Sequence, residues 1–289
     1  MKVLITGAGG QVAGALLKLK PAGVEAQALG RSELDIGDRE AVRRVLGQMQ
    51  PGIIINAGAY TAVDKAESEP DLARRVNGEG PGHLAEAAGQ QGARLLHIST
   101  DFVFDGSQSR PYAPDAAVRP LGIYGESKLE GERRVQATLG GKALILRTAW
   151  VYAAGGHNFV RTMLKLMAER GRVRVVADQV GAPTWATSLA EALWAAVRTP
   201  ELGGTHHWTD AGVASWYDFA VAIAEEGHVA GLLKQAAVVE SITTVDYPTP
   251  ARRPAYSVLD RGSAEKALGL KPAHWRVNLR KMLRELGNA

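Results

Sequence analysis

Apolar residues along this chain follow two alternating rhythms: short unbroken runs, and longer stretches where they recur every three or four positions. Residues 2–6 (K-V-L-I-T) form the first short run, partly β-branched and closed by glycine, and predict a strand buried on both faces of a parallel sheet. Residues 24–29, 53–55, 94–98 and 143–146 predict four more strands. Helical spacing fills the gaps. It begins at A-L-L-K-L-K, just past a glycine-rich stretch. It returns at Asp38, a good N-cap, with Val42, Val45, Leu46 and Met49 on one face and Pro51-Gly52 as the stop. Glu69-Pro70-Asp71 opens a third helix bearing Leu72, Val76, Leu84 and Ala88, with Gly80-Pro81 expected to break or kink it. Pro111, Pro114 and Pro120 keep the next loop from being helical, and residues 126–139 predict another helix. This succession implies an α/β architecture with a doubly wound parallel sheet.

Past Arg147 the alternation loosens. Residues 158–167 are amphipathic, 178–184 (D-Q-V-G-A-P-T) are rich in turn formers, and Ser188 is placed to cap an alanine-rich helix ending at Val197. An H-H-W segment follows, then helical patterns at 215–226 and 279–286, separated by the proline- and arginine-rich 248–257. Five of the six tryptophans lie after residue 180. The expectation is a nucleotide-binding domain over residues 1–150 and a smaller C-terminal substrate-binding lobe over 151–289, interleaved with the first.

Composition narrows the function. At 289 residues and 46% hydrophobic, the chain can bury a substantial core. A net charge of +4 without a long basic run gives no case for nucleic acid. The absence of cysteine excludes disulfides, thiolate metal sites and a thiol nucleophile. No apolar run approaches a membrane span, and the start of the chain lacks the pattern of a secretion signal, so a cytoplasmic protein without a membrane partner is expected.

The candidate chemistry sits where strands end. Between the first strand and first helix lies G-A-G-G-Q-V-A-G, with Gly7, Gly10 and Ala13 in a G-x-x-G-x-x-G spacing. Glycines there let backbone N–H groups, including those of Gln11 and Val12, approach a pyrophosphate at a helix N-terminus, the arrangement of a Rossmann-like dinucleotide site. Arg31, after the second strand, suits the 2′-phosphate of NADPH, with NADH possible; a solvated loop arginine is the plainer alternative. Asp35 and Ile36 are candidates to border the adenine, and Ala57, Gly58 and Ala59 fall at a strand's carboxyl end, where ligands bind in such sheets. Tyr124 and Lys128 share a helix face if their segment is helical. Alone, Y-x-x-x-K is a weak motif, more often a surface pair. Beside a dinucleotide site it suggests a phenol acidified by an ammonium neighbour, with Thr100 as a second hydroxyl. Bringing a tyrosine from its ordinary value to neutrality takes roughly 4 kcal/mol of differential stabilisation.

Several longer stretches resemble the extended short-chain dehydrogenase/reductase superfamily and, within it, the family of dTDP-4-dehydrorhamnose reductases. They are N-A-G-A-Y-T-A-V-D-K-A-E (56–67), S-T-D-F-V-F-D-G (99–106), Y-G-E-S-K-L-E-G-E (124–132), R-T-A-W-V-Y (147–152), N-F-V (158–160), D-Q-V-G-A-P-T (178–184) and P-T-P-A-R-R-P-A-Y-S (248–257). The resemblance implies NADPH-dependent reduction of a nucleotide-sugar ketone at C4. Tyr124 would be the proton donor, Lys128 its partner on the nicotinamide ribose, and Thr100 a hydrogen bond to the carbonyl oxygen. Asp101, Phe102, Trp150, Asn158 and Arg252 would join Thr100 and Tyr124 around the substrate. Phe102 stands where the family usually has tyrosine. Some family members dimerise around Mg²⁺ held by glutamates; Ala15 and Thr187 occupy the matching positions, so no metal site is expected, and the chain is a monomer or a homodimer without a Mg²⁺ bridge. A 4-ketoreductase or an epimerase for another nucleotide sugar, and a non-catalytic NADP-binding regulatory subunit, are the competing readings, because fold alone does not choose among them.

Overall fold

The computed structural model describes residues 1–287. Its core is a six-stranded, wholly parallel sheet built from β1 (Lys2–Thr6), β2 (Glu25–Leu29), β3 (Ile53–Asn56), β4 (Arg94–Thr100), β5 (Leu144–Thr148) and β6 (Gly204–His207). The order is β2-β1-β3-β4-β5-β6, so the winding reverses between β1 and β3. The carboxyl ends of strands at such a reversal are where open α/β sheets receive ligands.

Strand alternation divides the core in two. Val3, Ile5, Ile53, Ile55, Leu144 and Leu146 face one layer, under α1 (Gln11–Lys18) and the alanine-rich helix Ala186–Val197. Leu4, Ile54, Leu95 and Ile145 face the other, under α2 (Arg39–Met49), α3 (Gly80–Gln91) and α4 (Ile123–Leu139). α5 (Phe159–Arg170) begins the second lobe; α6 is the helix Ala186–Val197, and Trp194 on it donates its indole N–H to Leu16 O at 3.0 Å. The second lobe has a separate core. Val160, Leu164, Phe219, Ile223, Leu279 and Met282 pack α5 against α7 (Trp216–Val229) and α8 (Trp275–Gly287), beside a parallel pair of strands, Arg172–Val176 and Val238–Ile242. β6 and α6 lie after residue 151 yet complete the sheet layers. Among the described residues no helix is long and apolar enough to cross a membrane.

The element boundaries differ from the sequence expectation in instructive places. α1 starts at Gln11, inside the glycine-rich stretch, and α4 at Ile123, three residues before 126, so Tyr124 is in its first turn. β4 continues through Thr100. Ser188 lies within α6 rather than capping it, and Trp185 holds the cap position. At Gly80-Pro81 there is no break. The short helix Pro70–Ala73 widens into a π-helical segment, Arg74–Glu79, and Pro81 then opens α3. A proline has no N–H to bond back along a helix, and the wider turn absorbs the mismatch. Asn77 on this segment is buried, and its side chain accepts from Tyr60 N (2.8 Å) and donates to Tyr60 O (2.9 Å) and Ser127 Oγ (3.2 Å).

α4 lies so close to this segment that a Cβ on Gly131 would stand 2.2 Å from Asn77 O. Gly131→Ala is therefore expected to lower stability by about 2 kcal/mol or more, read as a fall in the urea midpoint with an unchanged slope. An unchanged midpoint would show that the two helices separate freely.

Candidate active site

The site begins with the turn between β1 and α1. Gly7 (φ +81°) and Gly9 (φ +83°) take backbone conformations that side chains disfavour. A Cβ on Gly7 would stand 2.8 Å from Gly58, so the turn and the loop after β3 touch through backbone. At Gly9 a Cβ would meet nothing within 4 Å, so this glycine faces open space. Gly10, without a side-chain cap, leads into Gln11 and Val12, the first residues of α1. Ala13 is buried against the core. A bare helix N-terminus behind an open glycine cradle fits a diphosphate. The cradle is fixed from below by a ladder of buried polar groups across three strands. Thr6 Oγ1 accepts from Gly58 N (3.0 Å) and donates to Asn56 Oδ1 (2.6 Å), and Asn56 Nδ2 lies 3.0 Å from His97 Nδ1.

Arg31 lies at the far end of the cradle with its side chain 69% exposed, 3.7 Å from the Asp35 carboxylate. Arg75, which the sequence reading did not single out, approaches the same carboxylate at 3.3 Å from the π-helical segment. Asp35 also accepts from Gly37 N at 2.9 Å. Ile36 has a packing role: its side chain is in the core beneath α3 and its carbonyl lies 3.1 Å from His83 Nδ1.

Tyr124 and Lys128 do share a face of α4, at the carboxyl ends of β3 and β4. The helix is pinned there by Glu67, which accepts from Ile123 N at 2.9 Å. Lys128 is buried and donates to the carbonyl of Ile98 at 2.7 Å. Burial pushes its pKa down to about 8, and the charge of Glu132 opposes the fall. The expected acidification of Tyr124 is absent. Burial pushes the phenol up to about 12, the Thr100 hydroxyl opposes this, and the Asp101 charge adds to it. The low-dielectric surroundings and a carboxylate neighbour both act against ionisation here. The phenol therefore keeps its proton, which is the state a proton donor needs. Its ring stands edge-on to Phe102, with centroids 5.4 Å apart. His97, near Lys128, is held neutral, its pKa driven well down by burial and the lysine charge.

Thr100 Oγ1 donates to Asp101 Oδ1 (3.1 Å) and accepts from Phe102 N (3.2 Å). Asp101 is itself buried, and its Oδ2 has no hydrogen-bond partner. Burial raises its pKa to about 6, against the Ser257 and Thr100 hydroxyls nearby. Ser257 arrives on the 248–257 segment and could not have been found by spacing.

From the second lobe, Trp150 enters with a strained backbone, φ +48°. Its ring stacks on Trp216 at 3.5 Å and lies against Gly181, where a Cβ would stand 2.7 Å away. Trp216 is a further residue that sequence reasoning missed. Asn158 is engaged within the protein: it caps α5 through Arg161 N (3.1 Å) and donates to Gln11 Oε1 (2.9 Å) and Ala153 O (2.8 Å). Arg252 is exposed, while its neighbour Arg253 ties the segment to Asp64 at 2.8 Å. Ala15 and Thr187 line a cavity of about 300 Å³ that also takes in Gly9, Gly10 and Gln11 of the cradle, and Lys18 and Glu285 pair at its wall at 2.5 Å.

Comparison with known proteins gives a consistent result. The model of the family described as RmlD substrate binding domain matches residues 1–288. The chain is 43% identical over 286 residues to a dTDP-4-dehydrorhamnose reductase of Aggregatibacter actinomycetemcomitans, covering 96% of this chain and 97% of that one. It superposes with a TM-score of 0.93 on a dTDP-4-dehydrorhamnose reductase of Clostridium acetobutylicum, 40% identical, with 99% of both chains covered. A Bacillus anthracis dTDP-4-dehydrorhamnose reductase solved in complex with NADP gives 0.92 at 35% identity, covering 98% of this chain and 99% of that one.

The Asp101 carboxyl binds its proton more tightly folded, near 6, than at the ordinary 3.8. The folded state therefore holds more protons between these values, and stability falls as pH rises through that window. Asp210, also raised to about 6, contributes to the same fall. Asp101→Asn is expected to shrink the decrease in Tm between about pH 4 and about pH 6.5; an undiminished decrease would contradict the burial account.

Proposed function

The chain belongs to the RmlD substrate binding domain family, and from that footing we propose that it reduces the C4 ketone of dTDP-4-dehydro-L-rhamnose to dTDP-L-rhamnose, using NADPH and, less readily, NADH. The observation that carries this reading is the gathering of Tyr124, Thr100 and buried Lys128 at the strand ends beside the open glycine cradle. The names of the relatives, and the NADP held by one of them, support it.

When bound, the reduced nicotinamide supplies the hydride that the ketone carbon accepts. The protein's part is binding, orientation and proton supply. Gly7, Gly9 and Gly10, with the N–H groups of Gln11 and Val12, would hold the diphosphate; Ala57, Gly58 and Ala59 would form the opposite wall. Arg31 would meet the 2′-phosphate, with Arg75 reinforcing it, and Asp35 would hold both arginines in place. Lys128 has three N–H donors and uses one on Ile98, leaving donors for a ribose hydroxyl. Residues 1–150 then carry the dinucleotide and bring Thr100, Asp101, Phe102, Tyr124 and Trp150 to the sugar, while 151–289 would complete the sugar-nucleotide side, apart from the strand and helix returned to the sheet.

Tyr124 donates its proton to the C4 oxygen as negative charge develops there. A forming alkoxide is a far stronger base than phenolate, so a phenol that has kept its proton is a competent donor. The Thr100 hydroxyl can rotate from Asp101 toward the same oxygen, an interaction worth most when the charge is greatest. The buried Asp101 has a free oxygen to accept from a sugar hydroxyl. The Trp150–Trp216 stack offers an apolar face to the ring, with Phe102 opposite the phenol, Arg252 available to a diphosphate and Asn158 holding Gln11 in register.

Tyr124→Phe is expected to cut NADPH-dependent turnover of the 4-keto sugar nucleotide by about 10²- to 10⁴-fold, with NADPH affinity by fluorescence titration almost unchanged and the wild-type product identified by NMR. Turnover equal to wild type would remove the phenol from the mechanism.

A further inference from the structure

The face of α4 that bears Tyr124 and Lys128 carries a third group. Glu132 follows Lys128 by four residues, one helical turn, and is as thoroughly buried as the lysine. Its two oxygens accept from Nε and Nη2 of Arg147 on β5, at 2.9 and 2.7 Å. Arg147 is enclosed in turn: it donates to Pro114 O at 3.1 Å, lies 5.2 Å from the centre of the Phe104 ring and 3.5 Å from His207 Nε2. Burying an ion pair this completely gains little or nothing in stability over apolar residues of the same volume. Its position one turn from Lys128 supplies a purpose.

We propose that Glu132, clamped by Arg147, is a positioning residue that keeps the buried Lys128 side chain in its ammonium form on the carbonyl of Ile98. The proposal rests on the role given to Lys128 above. The Asp101 carboxyl beyond the end of β4 acts on Tyr124, whereas the charge acting on Lys128 is that of Glu132. His97 on β4 is held neutral, Tyr124 on α4 keeps its proton, and the side chain that the π-helical segment sends to α4, Asn77, is an amide. Burial alone acts against the ammonium, and Glu132 is the charge that opposes it. Arg147, through its two hydrogen bonds, prevents the carboxylate from turning away.

Glu132→Gln alone leaves Arg147 as an unpaired buried cation and risks unfolding, so the informative protein is the double variant Glu132→Gln/Arg147→Met, which removes both charges. Protein labelled with carbon-13 at lysine Cε is titrated by NMR, the Lys128 signal being the one lost in Lys128→Met. The wild-type midpoint is expected near 8 and that of the double variant lower by about one pH unit or more, with cooperative unfolding retained. The alkaline limb of kcat is expected to move by the same amount. A Lys128 midpoint equal in the two folded proteins would overturn the proposal. A wild type that reduces no keto sugar, with the Lys128 midpoint still shifting in the variant, would sink the reductase reading and leave this inference standing.

Discussion

A lysine ammonium held out of water governs this structure. Burying such a charge is costly unless it is hydrogen-bonded and countered. Lys128 receives a backbone carbonyl from β4 at 2.7 Å and an anion one turn away on α4. Both require α4 to lie hard against the sheet. Glycine allows that at two points: a Cβ on Gly125 would stand 2.3 Å from Phe102 O, and one on Gly131 would stand 2.2 Å from Asn77 O. The π-helical turn upstream of Pro81 presents Asn77 at the second of these contacts. Helix packing and the chemistry at its N-terminal end are thus one arrangement.

The same closeness decides the state of the phenol. Tyr124 is half-buried and feels the Asp101 charge, so it retains its proton, while His97 is kept neutral. The edge therefore holds one cation, one neutral acid and one carboxyl whose proton is lost only near 6. The second lobe supplies apolar surface: Trp150, forced into a left-handed backbone, stacks on Trp216, and Ser257 brings its hydroxyl toward the buried carboxyl. Each is delivered from a different part of the chain to the carboxyl ends of the strands.

How much of this could be read in advance follows from how each feature is encoded. β1, β3 and β5 are buried on both faces and so appear as unbroken apolar runs, and β4 as one interrupted by His97. β6, with the sequence Gly-Thr-His-His, has no such signature; it is recruited by pairing with β5. Asp38 announces its helix because an N-cap is local, whereas the widened turn before Pro81 depends on what α4 brings against it. Tyr124 and Lys128 were visible through their spacing. Their proton affinities were not, because burial outweighs the neighbour that the spacing suggests. Arg75, His97 and Trp216 lie outside any local motif and enter through tertiary contacts alone, and Ser257, though inside the 248–257 stretch, has no spacing that points to Asp101.

The most direct measurement is a crystal structure of the ternary complex with NADP⁺ and dTDP-L-rhamnose. The account predicts the sugar's C4 oxygen within about 2.6–3.2 Å of the Tyr124 hydroxyl, with Lys128 still on the Ile98 carbonyl and the diphosphate of the dinucleotide over Gly9. A sugar whose C4 lies beyond reach of Tyr124, or a dinucleotide bound away from that glycine turn, would contradict it.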